Sequence, residues 1–478
     1  MGQSYRALAL LALAAWGCGS VADRRSDSVM FASGADLQSI NPLLTLHPLA
    51  RQVQRYVLFT TLVRYDSAMQ VSPYLARTWE WSPDRTTLTL TISTDLRWHD
   101  GPFTTAHDAA WTLAAARDPA TGYPRMAELA QLRHSEARDD STLMLEFTQP
   151  QAGMPDVFTD LAVLPRHLLD SVPHGALRRA AFNEQPVGNG PFRFVAHEPN
   201  RRWVFERNPD FPASLGGPPA LERFIVVVVD EPMTKLAALT SGELDFAGIQ
   251  PAHAEFVRRN PELAVVTYPL LFSYSIVLNT RRPPFDDLTT RKRLAAAVDR
   301  DEIVNGYLFG FGTPSASPMP PSLEGRAAEP PSRPAAESPN RRAAEPPISF
   351  ELLTVGSGEA ALEQLLQAQL ARAGFEVRIR QLELSAFLER VHGGVHDFDA
   401  AVLGVPGDPQ LGHLGPLYQL SGLPAPAATA DLVERFAELV PVVFLYHAQG
   451  LQGMNRRVHH VRMDLRGELP TVARWSTE

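Results

Sequence analysis

Two side chains stand where acid-base chemistry could begin: His99 and Asp100, adjacent in the stretch DLRWHDG at residues 95–101. A His beside a carboxylate is the commonest proton-transfer pairing in proteins. The neighbouring sequence argues against it. Thr86–Ser93 reads TTLTLTIS, alternates with period two and predicts a half-buried strand leading into the motif. Neighbouring residues on a strand point to opposite faces, so His99 and Asp100 cannot easily share one substrate proton. Asp100-Gly101 is instead a turn signal, and Thr105-Ala106-His107-Asp108 has the spacing of a capping box opening a helix through about Arg117. Strand, turn and capped helix account for every polar residue in the stretch.

Other candidate chemistry is sparse. His392 and His396 lie four apart, a metal pair if helical, but the two glycines between them argue for a loop, and His459-His460 is equally open. Gly356-Ser357-Gly358 opens a helix but lacks the Lys of a phosphate loop. There is no nucleophile elbow, HExxH, Walker A loop or dinucleotide fingerprint. The sequence therefore predicts no catalytic residue, no metal and no cofactor.

The amino terminus has a different job. Met1–Arg6 carries one positive charge, Ala7–Trp16 is an unbroken apolar run, and Gly17-Cys18-Gly19-Ser20 follows. Ten apolar residues span about 15 Å as a helix, half a bilayer core, which predicts a signal peptide (1–17) rather than an anchor. Cys18 is the only cysteine, so no internal disulfide can form, and it sits directly after small residues at the end of the apolar run. Ala15-Trp16-Gly17-Cys18 resembles a bacterial lipobox, with Ala15 where Leu is preferred; the expectation is lipidation of Cys18, with plain signal cleavage as the alternative. Residues 18–28 then read as a flexible tether.

The elements behind these motifs form an exported α/β protein. With 478 residues the chain is too long for one ordinary core, and 45% hydrophobic against 20% charged residues is a globular composition. A formal net charge of −9 and the lack of any long basic cluster exclude nucleic acid as a partner. FIVVVV (224–229), a helix over Pro232–Thr240 with Gly242 as C-cap, and LDFAGI (244–249) form the clearest α/β unit. Tyr274–Leu278 is a strand ending at Asn279, and Arg291–Val298 a helix. Residues 314–347 are Pro, Ala, Glu, Arg and Ser, with RAAEPP at 326–331 and again at 342–347, and read as a linker. Beyond it SFELLT (349–354), a helix over 359–373, FEVRIRQL (375–382), a helix near 385–391 and DFDAAVLG (397–404) predict a small, mostly parallel sheet, followed by a helix at 430–438 and the strand VVFLYH (442–447).

Five motifs in order sharpen this picture: LRWHDGPFTTAHDAAW, PVGNGPFRF, ERNPDF, LTSGELDFAGI and LNTRRPPFDDLTTRKRLAAAVDRDEIVNGYLFGFGTP. Together they resemble the family-5 extracellular solute-binding proteins that serve peptide, dipeptide and nickel ABC importers, over residues 30–320, with the run 349–404 matching more loosely. The resemblance implies a two-lobed periplasmic-binding-protein fold, the type II Venus flytrap, that closes on ligand. Lobe one would take 29–268 with an accessory subdomain near 60–170, lobe two 269–438, and 439–478 would return to lobe one, with crossings near Tyr268 and Val440. It implies a monomeric, lipid-anchored envelope receptor that passes a peptide or peptide-like solute to an ABC permease and ATPase.

The resemblance also implies ligand contacts. Relatives pair the ligand ammonium with an aspartate after a Gly-Trp pair; here Gly404-Val405-Pro406-Gly407-Asp408-Pro409 puts Asp408 at that place and Val405 where the Trp stands. Two readings of Asp408 stand, a salt bridge to a ligand amine or an Asp-Pro turn residue. Tyr274 and Ser275 occupy positions where relatives line the cleft, although alternating strand residues are more often core. Leu43 and Leu44, after Asn41-Pro42, are weaker candidates, and for a ligand carboxylate Arg281, Arg282, Arg378 and Arg380 are all available. The family pattern is broken in two places. The RAAEPP segment replaces a helix rich in Lys and Ala, and only residues 410–439 separate the Asp-Pro loop from the final buried strand. The second lobe therefore reads as trimmed, and the alternative to import is an envelope lipoprotein that keeps the fold for a sensory or structural role.

Overall fold

The computed structural model describes residues 27–45, 47–319, 346–356, 360–392, 396–407, 411–424 and 429–477. Cys18 and Asp408 lie outside the described residues, as do both first arginines of the RAAEPP repeats. The chain divides into two compact units: residues up to Ile249 with Val257–Ala264 and Gly453–Glu478, and Gln250–Phe256 with Val265–Gln452.

The first unit is built on a sheet in the order Phe246–Gly248, Ser28–Ser33, Arg223–Val228, Arg202–Arg207, Phe192–Glu198. Its centre is parallel, Ser28–Ser33 pairing with Arg223–Val228, and its edge is an antiparallel hairpin. Phe31, Phe224, Phe246 and Trp475 form one aromatic stack, with Phe246 and Trp475 4.7 Å apart. Trp475 is fully buried, so the end of the described chain completes this core; burying each such ring is worth about 1.5–3 kcal/mol. Asp245 fastens the same return segment. It is fully buried, its two oxygens accept Arg457 Nε at 2.8 Å and Nη2 at 2.7 Å, and Oδ2 also accepts the Met30 N–H at 2.9 Å.

An accessory antiparallel sheet, ordered Ala76–Trp81, Thr87–Ile92, Thr142–Phe147, Leu132–Ala137, belongs to this unit. Leu88, Leu90 and Ile92 are buried while the threonines between them are not, as the alternation of TTLTLTIS predicts. The helix Ala106–Arg117 that follows opens on the expected capping box, Asp108 Oδ2 accepting the Thr105 N–H at 2.8 Å.

The second unit has strands ordered Phe375–Leu382, Ile348–Val355, Ala400–Pro406, Leu263–Leu278, Val442–Asn455. The predicted β-α-β-α-β run forms with parallel pairing, and Leu263–Leu278 joins it antiparallel. Both sheet faces are covered. Ile276 and Leu278 face a core with Phe350, Leu352, Leu366 and Leu370, whereas Val277 faces another with Phe387, Tyr418, Phe436 and Phe444. The two compact units divide at Ala264/Val265 and Gln452/Gly453, with Gln250–Phe256 counted in the second. The strand that begins at Val442 runs without a break to Asn455. Of the expected linker 314–347, residues 320–345 are outside the described residues; before them Gly312–Pro314 adds a short strand beside Tyr446–Ala448.

Candidate functional site

His99 and Asp100 lie not on the strand, which ends at Ile92, but in the turn closed by the Gly101 N–H on Trp98 O at 2.9 Å, and there their side chains separate. His99 donates its backbone N–H to Gly188 O at 2.8 Å, and its ring Nε2 lies 3.0 Å from Gly190 O, which only a protonated Nε2 can satisfy. Burial pulls its pKa down to about 4, so the ring is neutral at pH 7. Asp100 turns away to His167, 2.8 Å from its Nε2. Gly188 and Gly190 press on the chain at Leu58: a Cβ would sit 1.9 Å from Leu58 O in the first case and 2.5 Å from Leu58 C in the second. Asn189, fully buried between them, accepts the Thr60 N–H at 2.9 Å and donates to Thr104 Oγ1 at 3.2 Å. Asn208 of the ERNPDF motif donates to the same Gly190 carbonyl at 3.0 Å. Three motifs that look like a site are thus one lock inside the first unit.

The second unit holds a different kind of cluster. Tyr274 and Ser275 are neighbours on one strand and therefore face opposite sides. Tyr274 stacks on Tyr446, centroids 5.0 Å apart and planes at 22°, and meets Phe272 edge-on at 5.5 Å. Gly404, opposite Tyr274 in the register, leaves room for these rings, since a Cβ there would lie 2.7 Å from Phe272 Cζ. Burial raises the Tyr274 and Tyr307 phenols and, more strongly, that of Tyr446, with the Glu363 carboxylate adding to each. All three are neutral phenols at physiological pH, offering hydroxyls and ring faces but no nucleophile. Glu363 is buried and accepts Thr354 Oγ1 at 2.6 Å. On the other face Ser275 is fully buried, and its hydroxyl has no hydrogen-bond partner among the described residues.

The remaining candidates are placed as follows. Next to Asp408, the Gly407 N–H donates to Leu271 O at 2.7 Å, tying the loop to the strand that carries Tyr274. Val405 is buried and pairs with Ser273, so no large ring stands there. In the first unit Leu43 is fully buried and Leu44 partly so, in a turn where Asn41 Oδ1 accepts the Leu43 N–H at 3.0 Å. Arg281 donates to Leu420 O at 3.1 Å and Gln419 O at 3.2 Å, Arg282 pairs with Asp397 at 3.2 Å and Asp399 at 2.7 Å, and Arg380 meets Glu351 at 3.4 Å. Arg378 is exposed. Sequence reasoning missed Phe272, Tyr307, Glu363 and Tyr446. VVFLYH and the helix after residue 359 were legible as elements, but nothing local marks which of their residues face Tyr274. Among the described residues no group of three or more His, Cys, Asp or Glu is placed to hold a metal ion, and no helix is long and apolar enough to cross a membrane.

The fold is of the two-lobed α/β periplasmic-binding-protein class. The chain is similar to the solved Bacillus subtilis oligopeptide-binding protein AppA in complex with a nonapeptide, with TM-score 0.74, 20% identity, and coverage of 94% of this chain and 99% of that one. It is also similar to NikA from Brucella suis in complex with Fe(III)-EDTA, with TM-score 0.79, 19% identity, and coverage of 94% and 100%. Residues 70–420 match the model of bacterial extracellular solute-binding proteins, family 5 Middle, and the chain belongs to that family. Among curated relatives, a Brucella ovis chain named as an ABC transporter peptide-binding protein is 29% identical over 259 residues, 54% of this chain and 48% of the relative. The chain thus spans about half the length of the curated relatives it matches first.

Proposed function

We propose that this protein is an extracytoplasmic receptor that captures an oligopeptide or peptide-like solute and delivers it, as a monomer, to an ABC import permease and its ATPase. The observation that carries the reading is the family match over residues 70–420, which runs through both compact units. The peptide-binding names of the relatives support peptide as the solute class. In this reading residues 1–17 direct export and a lipid on Cys18 holds the protein at a membrane. Asp408 pairs with the ligand ammonium, since a buried charge without a partner costs several kcal/mol. Tyr274, held by Tyr446 and Phe272, supplies a ring face and a hydroxyl to the peptide. No step of bond making or breaking is assigned to any residue.

Mass spectrometry of ligand co-purified with the protein lacking residues 1–18 tests this, alongside Asp408→Ala and Tyr274→Ala. Bound peptide, with binding weakened by about tenfold or more in each variant, is the expected result. A wild type that carries no ligand and gives no thermal shift with peptide libraries overturns import and leaves the sensory or structural reading; equal binding by Asp408→Ala removes only the role of that residue.

A further inference from the structure

Asp160 is the meeting point of three guanidiniums in the first unit. Arg51 donates to its Oδ2 from Nε at 3.0 Å and Nη2 at 2.7 Å. Arg55, one helical turn on, and Arg125 each reach the same carboxylate through Nη1. The other donors of Arg125 go to Glu128, at 2.5 and 2.6 Å. Arg55 Nη2 donates to the carbonyl of Arg466 at 3.2 Å, and Arg466 itself pairs with Asp464 at 2.7 Å. At Asp160 itself three guanidiniums, Arg51, Arg55 and Arg125, therefore face two carboxylates, Asp160 and Glu128, in a place where Asp160 is only 8% exposed and water screens poorly.

The donors are out of balance as well as the charge. Arg55 Nε is buried with no hydrogen-bond partner among the described residues. Arg51, whose side chain is partly exposed, spends Nε and Nη2 on one oxygen, and its Nη1 has no acceptor among the described residues. Every surplus group is a donor, and a buried N–H of a cation left without an acceptor is costly. Access is open on one side, because the Arg51 side chain is 31% exposed against 19% for Arg55 and 17% for Arg125.

We propose that this cluster binds a small oxyanion, of the carboxylate or phosphate class, on the free edges of Arg51 and Arg55. A planar guanidinium fork matches two oxygens of such an anion and holds its charge at any pH the protein meets. The anion balances the extra cation and gives Arg55 Nε an acceptor. The site uses residues of the first unit alone and does not depend on the identity of the transported solute.

The test is calorimetric titration of the full chain with sodium phosphate and, separately, with sodium acetate, each against sodium chloride at matched ionic strength. Saturable binding is expected for at least one, weakened about tenfold or more in Arg51→Gln, which leaves Asp160 paired with Arg55 and Arg125. Phosphate alone, acetate alone or both binding assigns the anion class. No saturable heat beyond chloride overturns the proposal, as does equal binding by Arg51→Gln. A melting temperature that rises with phosphate equally in wild type and variant is exclusion of the salt from the protein surface and also counts against the site.

Discussion

The lock around His99 and the tyrosine cluster around Tyr274 are made of similar residues, glycines, aromatics and polar side chains on strands, yet they are finished differently. In the lock, the Gly190 carbonyl accepts from both His99 and Asn208, Asn189 uses both ends of its amide, and the glycines leave no space for another atom. Around Tyr274 that ring and Phe272 are half buried and Tyr307 is exposed, although Tyr446 is buried, and the neighbouring Ser275 hydroxyl has no partner among the described residues. The lock still leaves Thr60 Oγ1, Trp98 Nε1 and His99 Nδ1 buried without a partner among the described residues, so what sets it apart is close backbone packing, and a region packed that tightly positions the fold. A region with ring faces and hydroxyls left over can take a ligand. Motif strength in sequence follows the first kind, because close backbone approach tolerates so few residue types.

The largest effect in this comparison belongs to the ion pair of the first unit. Asp245→Ala removes the fully buried carboxylate that accepts from Arg457 and from the Met30 N–H and is expected to cost about 3–5 kcal/mol in urea unfolding; a loss below about 1 kcal/mol would show that the pair is idle. Gly190→Ala forces a Cβ into the Leu58 backbone and is expected to lose about 3 kcal/mol, whereas Gly101→Ala, with open space but a φ of 117°, should lose less. Equal melting temperatures for the two variants would contradict the lock.

The His99 ring gives the lock a pH signature. Its folded pKa of about 4 lies below the ordinary histidine value of 6.5, so the unfolded chain binds more protons between them. The associated stability is fully present above pH 6.5 and is lost as pH falls toward 4, by an amount on the order of 3 kcal/mol. His99→Gln should flatten the unfolding free energy over that window relative to wild type; parallel curves would mean that His99 titrates normally. Smallest is Ser275→Ala, which removes a buried, unpartnered hydroxyl and should be neutral or stabilise by up to about 1 kcal/mol. If the same variant also weakens peptide binding, Ser275 belongs to the ligand site in spite of its burial.

The order of elements was legible because each rests on local signals: alternation in TTLTLTIS, the capping box at Thr105, Pro232 and Gly242 at the two ends of a helix. The role of the DLRWHDG residues was legible too, since Asp100-Gly101 signals the turn that sends His99 and Asp100 to different partners. The tyrosine cluster was not. It depends on Tyr274 lying opposite Gly404, with Tyr446 one strand away, pairings that only the assembled sheet defines. Nor was the buried state of Asp245, whose partner stands 212 residues away in a segment with no motif of its own.

That separation has a consequence for how the protein is made. The second unit is nearly continuous, Val265–Gln452, and most of it can fold as soon as it has emerged. The first unit begins much earlier yet stays open: Asp245 has no counter-ion and the Phe31–Phe246 stack lacks Trp475 until the final stretch of the described chain arrives. Closing so long a loop costs entropy that the late contacts must offset. For a chain made from its amino end, the half that appears first is the half that finishes last, and a chaperone that guards nascent chains has more to do for it than for the half that follows.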